Sequence, residues 1–182
     1  MVYWSLIGQY VLLFLVDGIA GYFLQLMAYT LAIHAFNKRQ ITVRTFFLMT
    51  VIFSIFSFAI RNIPCIKFGY HTILITIMCV IFSYTLFKTE IYPTILAVFL
   101  TMVSNLFFEA LVFGISIKIL GNENFSKFFV NIETTAELIC RALLGVPANI
   151  LLLIEMFIIY KYYLKKIKKD GLNRAIGEND NL

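Results

Sequence analysis

The sequence predicts an all-α protein, a polytopic helical membrane bundle of about five transmembrane helices. Apolar residues make up 61% of its 182 residues and charged residues only 14%, whereas soluble domains average about 45–50% and about 25%. The charges lie between apolar runs, each close to the roughly 20 residues that cross a hydrocarbon core. We expect residues 1–169 to form one transmembrane domain and residues 170–182 a short, polar, disordered cytoplasmic tail.

The first apolar run, Leu6 to Phe36, is too long for one perpendicular span and too short for two. We interpret it as one long helix that is tilted or protrudes from the bilayer. The polar segment Asn37–Gln40 ends this helix. Four more spans are predicted at about Thr45–Ile60, Tyr70–Phe87, Thr94–Ile117 and Glu137–Tyr163.

Prolines and glycines mark the connections and bends between these spans. Pro64 stops the second span, because the residue before a proline disfavours the α region. Pro93 suits the first turn of the fourth span. The segment Phe125–Val130 predicts a short interfacial helix before the last span, with its aromatic face among the headgroups. The predicted structural hinges are Pro64, Gly69, Gly145 and Pro147, and the last two are expected to interrupt the fifth helix.

The basic residues predict an N-out/C-in orientation. If the 37–44 loop, the Lys88 turn and the C-terminal tail are cytoplasmic, ten Lys and Arg residues lie inside and four lie outside. Six of the fifteen basic residues fall between Lys161 and Arg174, just after the last apolar run. Anionic lipid attracts basic residues at that position, so the net charge of +5 does not indicate nucleic-acid binding.

In this topology several polar residues converge in the outward-facing half of the bundle. Ionisable groups inside a membrane are costly, face the interior or water, and tend to pair. Asp17 and Glu109 are short acids well inside apolar runs, and Asn105 lies one turn from Glu109 on the same face. Glu155 is assigned a deeper position and left out. The predicted ligand-binding residues are Asp17, Arg61, His71, Asn105, Glu109, Glu137 and Arg141.

Structural roles are an open alternative for several of these residues. Glu137 and Arg141 are one turn apart on a helix and can simply neutralise each other. Arg61 can extend its charge to the interface from the end of a span. A histidine near a span end, as His71 is, is more often capped or interfacial than ligand-binding.

Two short motifs suggest a family. The first is Arg61-x-x-Pro64 followed by Phe68-Gly69-x-His71-Thr72, and the second is Arg141-Ala-Leu-Leu-Gly145-Val-Pro147. Together they resemble the membrane-embedded sensor region of histidine kinases from Gram-positive anaerobes, over roughly residues 5 to 165 in layout. Cys65-Ile66-Lys67 departs from the more apolar hinge of that family. The resemblance implies a sensor-like membrane module, here without any kinase domain.

Two other functions compete with a sensory one. A substrate-binding component of a vitamin-type transporter has a similar length, and the small pair Ala28 and Ala32 could dock a transporter partner. A membrane cysteine endopeptidase of peptide-signal processing would use His71 and Cys79. Eight residues turn a helix by about 800°, however, which places these two side chains some 80° off a common face. We therefore expect no enzymatic activity.

The expected partners are membrane lipid and a cytoplasmic or membrane signalling protein, with homo-oligomer formation left open. No nucleic-acid partner and no cofactor are predicted. No metal site is predicted either, because the three cysteines have neither disulfide nor metal-ligand spacing. The predicted location is a cell membrane, specifically a bacterial plasma membrane, where the chain is multi-pass. Its function is then to bind an extracellular or membrane-borne ligand and to signal through partners.

Overall fold

Every regular element in the described part of the chain is a helix. The computed structural model describes residues 8, 11, 14–61, 70–121, 125 and 135–179. Within the helices it describes the backbone alone at residues 14, 16, 17, 19, 20, 61, 135–142 and 167–179. A π-helix, π1 (Phe14–Phe23), leads directly into α1 (Leu24–Phe36). The helices that follow are α2 (Val43–Arg61), α3 (Tyr70–Phe87), α4 (Ile91–Leu120) and α5 (Thr135–Asn179).

The central element of the bundle is α1, which packs against π1, α2, α4 and α5. Nine of its 13 residues are buried. A helix that is apolar all round is stable only when other elements cover every side. Ala28 and Ala32 are fully buried, and their small side chains permit the close approach of neighbouring helices that the sequence predicts for this pair.

The outer helices expose the apolar surface expected of a membrane protein. Four segments are long and apolar enough to cross a bilayer: Val43–Ile60, Tyr70–Phe87, Ile91–Leu120 and Leu143–Lys166. Large side chains such as Ile55, Phe107 and Ile158 are exposed on them, and lipid is the environment in which such surface is stable. The protein is therefore an all-α, multi-pass membrane protein, which confirms the predicted fold class. The first run as a fifth span and the N-out/C-in orientation stay predictions.

Several buried hydroxyl groups in these helices satisfy their hydrogen bonds locally, although Ser57 Oγ does not. Thr30, Thr50 and Thr101 each donate to the carbonyl oxygen four residues earlier, at 2.7–2.9 Å. Ser83 and Ser116 do the same. Serine and threonine can make this bond within their own helix, so these buried hydroxyls need no partner from elsewhere. The side chains of asparagine and glutamate inside the bundle are a different case, described below.

The last helix differs from its prediction at two points. α5 continues through Gly145 and Pro147 instead of being interrupted, although Pro147 lies inside it. The backbone is also helical as far as Asn179, where the sequence predicts a disordered tail from residue 170 onward. Extending an existing helix requires no new nucleus, and this physical reason favours continuation over a separate disordered tail.

Other predictions meet the structure only in part. The first run is helical from Phe14 to Phe36, as predicted, but Phe14–Phe23 form π1, which nothing in the sequence indicated. Of the predicted interfacial helix, the structure describes only Phe125, whose ring packs edge-on against Phe113 with centroids 6.1 Å apart. Residues 126–130 lie outside the described residues, as do the hinge residues Pro64 and Gly69.

Candidate functional site

A pair of polar side chains lies on one face of α4, inside the bundle. Asn105 is only 3% exposed, and its Nδ2 donates to Oε1 of Glu109, one turn away, at 2.9 Å. Because a carboxylate only accepts hydrogen bonds, the amide nitrogen faces Glu109 and the amide oxygen points elsewhere. That oxygen, Oδ1, is buried and has no hydrogen-bond partner. A buried acceptor without a partner is uncommon and calls for an explanation.

A second acid, Glu155 on α5, lies at the same level of the bundle. Ser104 Oγ donates to its Oε1 at 3.3 Å, while its Oε2 is buried and without a partner. The sequence led us to expect Glu155 deeper and outside the pocket, whereas its hydrogen bond to Ser104 brings it to the level of Asn105, the deeper member of the Asn105–Glu109 pair. Counting residues from the ends of apolar runs assumes that spans start at equal heights. The 30 residues of α4 and the 45 of α5 do not meet that assumption.

We refer to Ser104, Asn105, Glu109 and Glu155 as the α4 cluster. On the side of α1, the neighbouring residue is Tyr29, which is 1% exposed. The Tyr29 side chain interacts with Thr76 on α3 and lies near Glu109. The α4 cluster thus lies among α1, α3, α4 and α5, with Asn105 buried and the other three side chains half-buried.

His71 reaches the height of the cluster by way of α3. Thr76 Oγ1 contacts Met102 Sδ at 3.5 Å, which aligns α3 with α4. His71 lies five residues before Thr76, about 7.5 Å along the axis, and Glu109 lies seven after Met102, about 10.5 Å. Since the two helices are antiparallel, both displacements run the same way, and the two residues end within about 3 Å in height. His71 Nδ1 is also buried and without a partner.

The α4 cluster therefore presents unpaired acceptors. Among the described side chains no lysine or arginine forms an ion pair with Glu109 or Glu155. In an apolar environment an unpaired carboxylate either takes up a proton or binds a positively charged or hydrogen-bond-donating group. The arrangement can thus hold a proton, an ammonium group or another donor.

The remaining predicted ligand-binding residues have described backbones but no described side chains. Asp17 lies in π1, and Arg61 is the last residue of α2. Glu137 and Arg141 lie near the start of α5. Their side-chain positions, and therefore their part in a site, stay predictions. The hinge role of Gly145 and Pro147 also stays a prediction, with open space around the position that a Gly145 side chain would occupy.

A second polar group, which sequence reasoning missed, lies at the opposite end of the bundle. Asn37 Nδ2 donates to Ile33 O at 2.8 Å and to Thr94 Oγ1 at 3.0 Å, and Asn37 Oδ1 accepts from Glu90 N at 2.8 Å. Arg39 donates to Phe87 O at 3.0 Å and to Lys88 O at 2.6 Å. We refer to Asn37, Arg39, Thr89, Glu90 and Thr94 as the turn network.

The turn network joins two connections that are far apart in the sequence. Arg39 satisfies carbonyls at the C-terminal end of α3, where unpaired carbonyls and the helix dipole favour a cation. Asn37 satisfies the backbone N–H of Glu90, at the start of α4. The segment after α1 therefore caps both helices of the α3–α4 hairpin. The sequence signal was the polar run Asn37–Gln40, but a local pattern does not reveal a partner about 50 residues away.

The residues behind the two competing functions are buried in the core. Ala28 and Ala32 are covered by the helices of this chain, so they are not free to dock a transporter partner. Cys79 is fully buried as a free thiol, which confirms its predicted packing as a small apolar side chain. His71 lies eight residues earlier on the same helix, about 12 Å along the axis, too far for a catalytic dyad.

Comparison with known proteins provides no family. No protein-family model, no curated protein and no solved structure matches the chain. The interpretation of its function consequently depends on the geometry of the described residues and on their chemistry.

Proposed function

We propose that this protein is a sensory or regulatory membrane protein that binds a small or peptidic ligand inside its helix bundle and signals through partners. The observation that supports this proposal best is the buried, unpartnered Oδ1 of Asn105 beside Glu109. An ionisable residue within a membrane bundle is expensive, and its presence favours a functional site. Buried hydroxyls such as those of Thr101 and Ser116 bond to their own helix, whereas the amide oxygen of Asn105 lacks a donor.

The chemistry of the α4 cluster favours a ligand that donates hydrogen bonds. Glu109, Glu155 and the carbonyl of Asn105 all accept, and Ser104 already uses its hydroxyl on Glu155. A ligand with an ammonium group would supply both the missing charge and the missing donors. A free peptide N-terminus or a small amine meets this requirement.

The proposed route of the signal is α5. Its apolar segment Leu143–Lys166 contains Glu155. The same helix continues to Asn179 through a stretch rich in basic residues. A continuous helix moves as one body, so a shift at Glu155 would displace the basic end. In our proposal the chain has five spans with the N-terminus outside and the C-terminus inside a bacterial plasma membrane. The positive-inside bias and the resemblance to kinase sensor regions support that orientation.

Ligand binding is tested on the purified protein in lipid nanodiscs. The probes are short peptides with a free N-terminus and simple primary amines, each paired with its N-acetylated form, and the readout is the melting temperature. We expect some free amines to raise the melting temperature and their acetylated forms not to. Glu109→Gln should abolish the shift. Glu90→Gln is the matched control, because it makes the same change at an exposed acid in the turn network.

The proposal would be wrong if no amine stabilised the protein. It would also be wrong if Glu109→Gln and Glu90→Gln responded equally to the free amines. The orientation has its own test. A reporter active only in the cytoplasm should work when fused after Leu182 and fail when fused before Met1, and activity at both ends would exclude five spans.

A further inference from the structure

A polar cleft opens at the end of the bundle that carries the turn network. Its volume is about 180 Å³, and it lies between the start of α2 and the end of α3. Met49 and Phe87 form its apolar wall. Its polar lining consists of His34, Arg39, Gln40, Thr42, Thr45 and Thr89.

Arg39 is held in place at this cleft with donors to spare. Two of its N–H groups donate to the carbonyls of Phe87 and Lys88. A guanidinium has five N–H donors in a fixed planar arrangement, so three are left for a ligand. The two backbone carbonyls orient the group before any ligand arrives. A planar guanidinium of this kind is well suited to a phosphate, which accepts two parallel hydrogen bonds.

The cleft lies at the height of the lipid headgroups. The apolar segment of α2 begins at Val43 and that of α3 ends at Phe87, so the cleft residues mark the boundary of the hydrocarbon layer. Tyr92 and Tyr162 are strongly exposed near this end, at 84% and 67%. Exposed tyrosines are typical of the membrane–water interface. At this height the apolar wall of the cleft faces the acyl region, and the polar lining of the cleft faces the headgroups.

The surroundings of the cleft are positively charged. Lys38, Arg44 and Lys88 are exposed on the adjoining segments, and Lys161 and Lys165 are exposed on α5. Among the described side chains around the cleft, in residues 34–45, 87–95 and 157–166, Glu90 is the one acidic residue. Basic pockets between transmembrane helices bind the phosphorylated headgroups of anionic lipids.

We propose that this cleft binds a phosphate that bears a free glycerol, the headgroup that phosphatidylglycerol carries and phosphatidylcholine lacks. The site is separate from the α4 cluster and does not depend on the ligand proposed there. Arg39 binds the phosphate with its free N–H groups, and the hydroxyls and amide of the lining bind the glycerol. An anionic phospholipid presents this group at the right height, and a soluble glycerol phosphate presents the same chemistry from the aqueous side.

The test is a binding titration of the full chain in detergent by native mass spectrometry. The probes are phosphatidylglycerol, phosphatidylcholine and soluble glycerol 1-phosphate. The variants are Arg39→Gln and Gln40→Glu, with Arg44→Gln as control, since all three lower the net charge by one. Arg44 is exposed and does not line the cleft. Gln40→Glu brings an acid to the cleft and leaves the capping bonds of Arg39 in place, so it decides the matter if Arg39→Gln fails to fold.

We expect one phosphatidylglycerol to bind more tightly than phosphatidylcholine. The two cleft variants should bind it at least about fivefold more weakly than the control, the effect of one nearby charge. The same pattern with glycerol 1-phosphate alone would support the site with a soluble source, and its absence would identify the lipid. Equal affinity for the two lipids, or equal losses in all three variants, would overturn the proposal, because only diffuse attraction would then be present.

Discussion

The two polar groups of this protein differ in how completely their hydrogen bonds are satisfied. In the turn network the side-chain amide of Asn37 is satisfied on both sides, by Ile33 O, Thr94 Oγ1 and Glu90 N. In the α4 cluster the amide of Asn105 uses its nitrogen on Glu109 and leaves its oxygen buried and unpaired. The same residue type thus stabilises the fold at one end and lacks a partner in the interior.

This difference separates structural polarity from functional polarity. A polar group whose partners all come from the folded chain lowers the free energy of the fold. A buried group that lacks partners raises it, and is retained where a ligand, an ion or a proton completes it. The two asparagines also differ in burial, since Asn37 is half-buried and Asn105 is buried, but burial does not show which of them lacks a partner. The count of satisfied donors and acceptors does.

The largest effect is expected where Glu109 meets an arginine. The sequence predicts that Asp17, Arg61, His71, Glu109 and Arg141 form one coupled outward-facing cluster. Glu109 has no basic partner among the described side chains, so this prediction concerns Arg61 and Arg141, whose side chains lie outside them. If either arginine pairs with Glu109, removing it should cost on the order of 3–5 kcal/mol of unfolding free energy, because an acid is left unpaired. Double-mutant cycles of Glu109→Gln with Arg141→Gln, and with Arg61→Gln, measure the coupling by unfolding in mixed micelles.

We expect one of these cycles to be non-additive by at least about 0.5 kcal/mol. Strict additivity in both, together with a harmless Glu109→Gln, would mean that the predicted cluster is not assembled. Non-additivity would show only that the two residues are close. A functional role also requires that the double variant folds normally and fails to respond to the amine ligand.

Replacing each asparagine by leucine compares the two regions directly. Asn37→Leu removes three hydrogen bonds and should cost about 2–4 kcal/mol, at roughly 1 kcal/mol for each bond. Asn105→Leu removes one bond and also one unsatisfied oxygen, so its cost should be below about 1 kcal/mol. Chemical denaturation in micelles measures both. Equal costs at the two positions would refute the distinction drawn between the two groups.

Arg39 provides a smaller test of the turn network. Arg39→Gln should lower the unfolding free energy by about 1–2 kcal/mol, because two hydrogen bonds from an exposed charged group to the end of α3 are lost. Arg44→Gln is the control, because Arg44 is exposed and makes no hydrogen bond to the described residues of the turn, and it should change stability by less than about 0.5 kcal/mol. A result in which both variants unfold at the same denaturant concentration would remove Arg39 from the network.

The smallest effect is expected at Cys79. Cys79→Ala takes one sulfur atom from a fully buried position and should cost about 1 kcal/mol, similar to the loss of a methyl group. The amine-induced rise in melting temperature should be unchanged. Loss of that response with normal expression and folding would revive the endopeptidase interpretation.

The sequence by itself determined the fold class and the positions of most helices. Tyr70–Phe87 was predicted to the residue, and the turn at Lys88–Glu90 is where the polar residues indicated. Long apolar runs have one stable form in a membrane, since a helix satisfies its own backbone hydrogen bonds. The same local logic paired Asn105 with Glu109, because residues four apart share a helix face.

Only the tertiary structure decided which groups meet between helices. It brought Glu155 to Ser104, Arg39 to the end of α3 and Asn149 Nδ2 to Gly21 O at 3.1 Å. It also made α1 the central helix, although its composition is like that of its neighbours. The physical reason is that apolar periodicity describes one helix at a time, whereas relative height and facing depend on how whole helices pack together. The sequence shows that a polar residue in an apolar run has an unfavourable free energy of burial. The side chains packed around it determine whether hydrogen bonds compensate for that free energy.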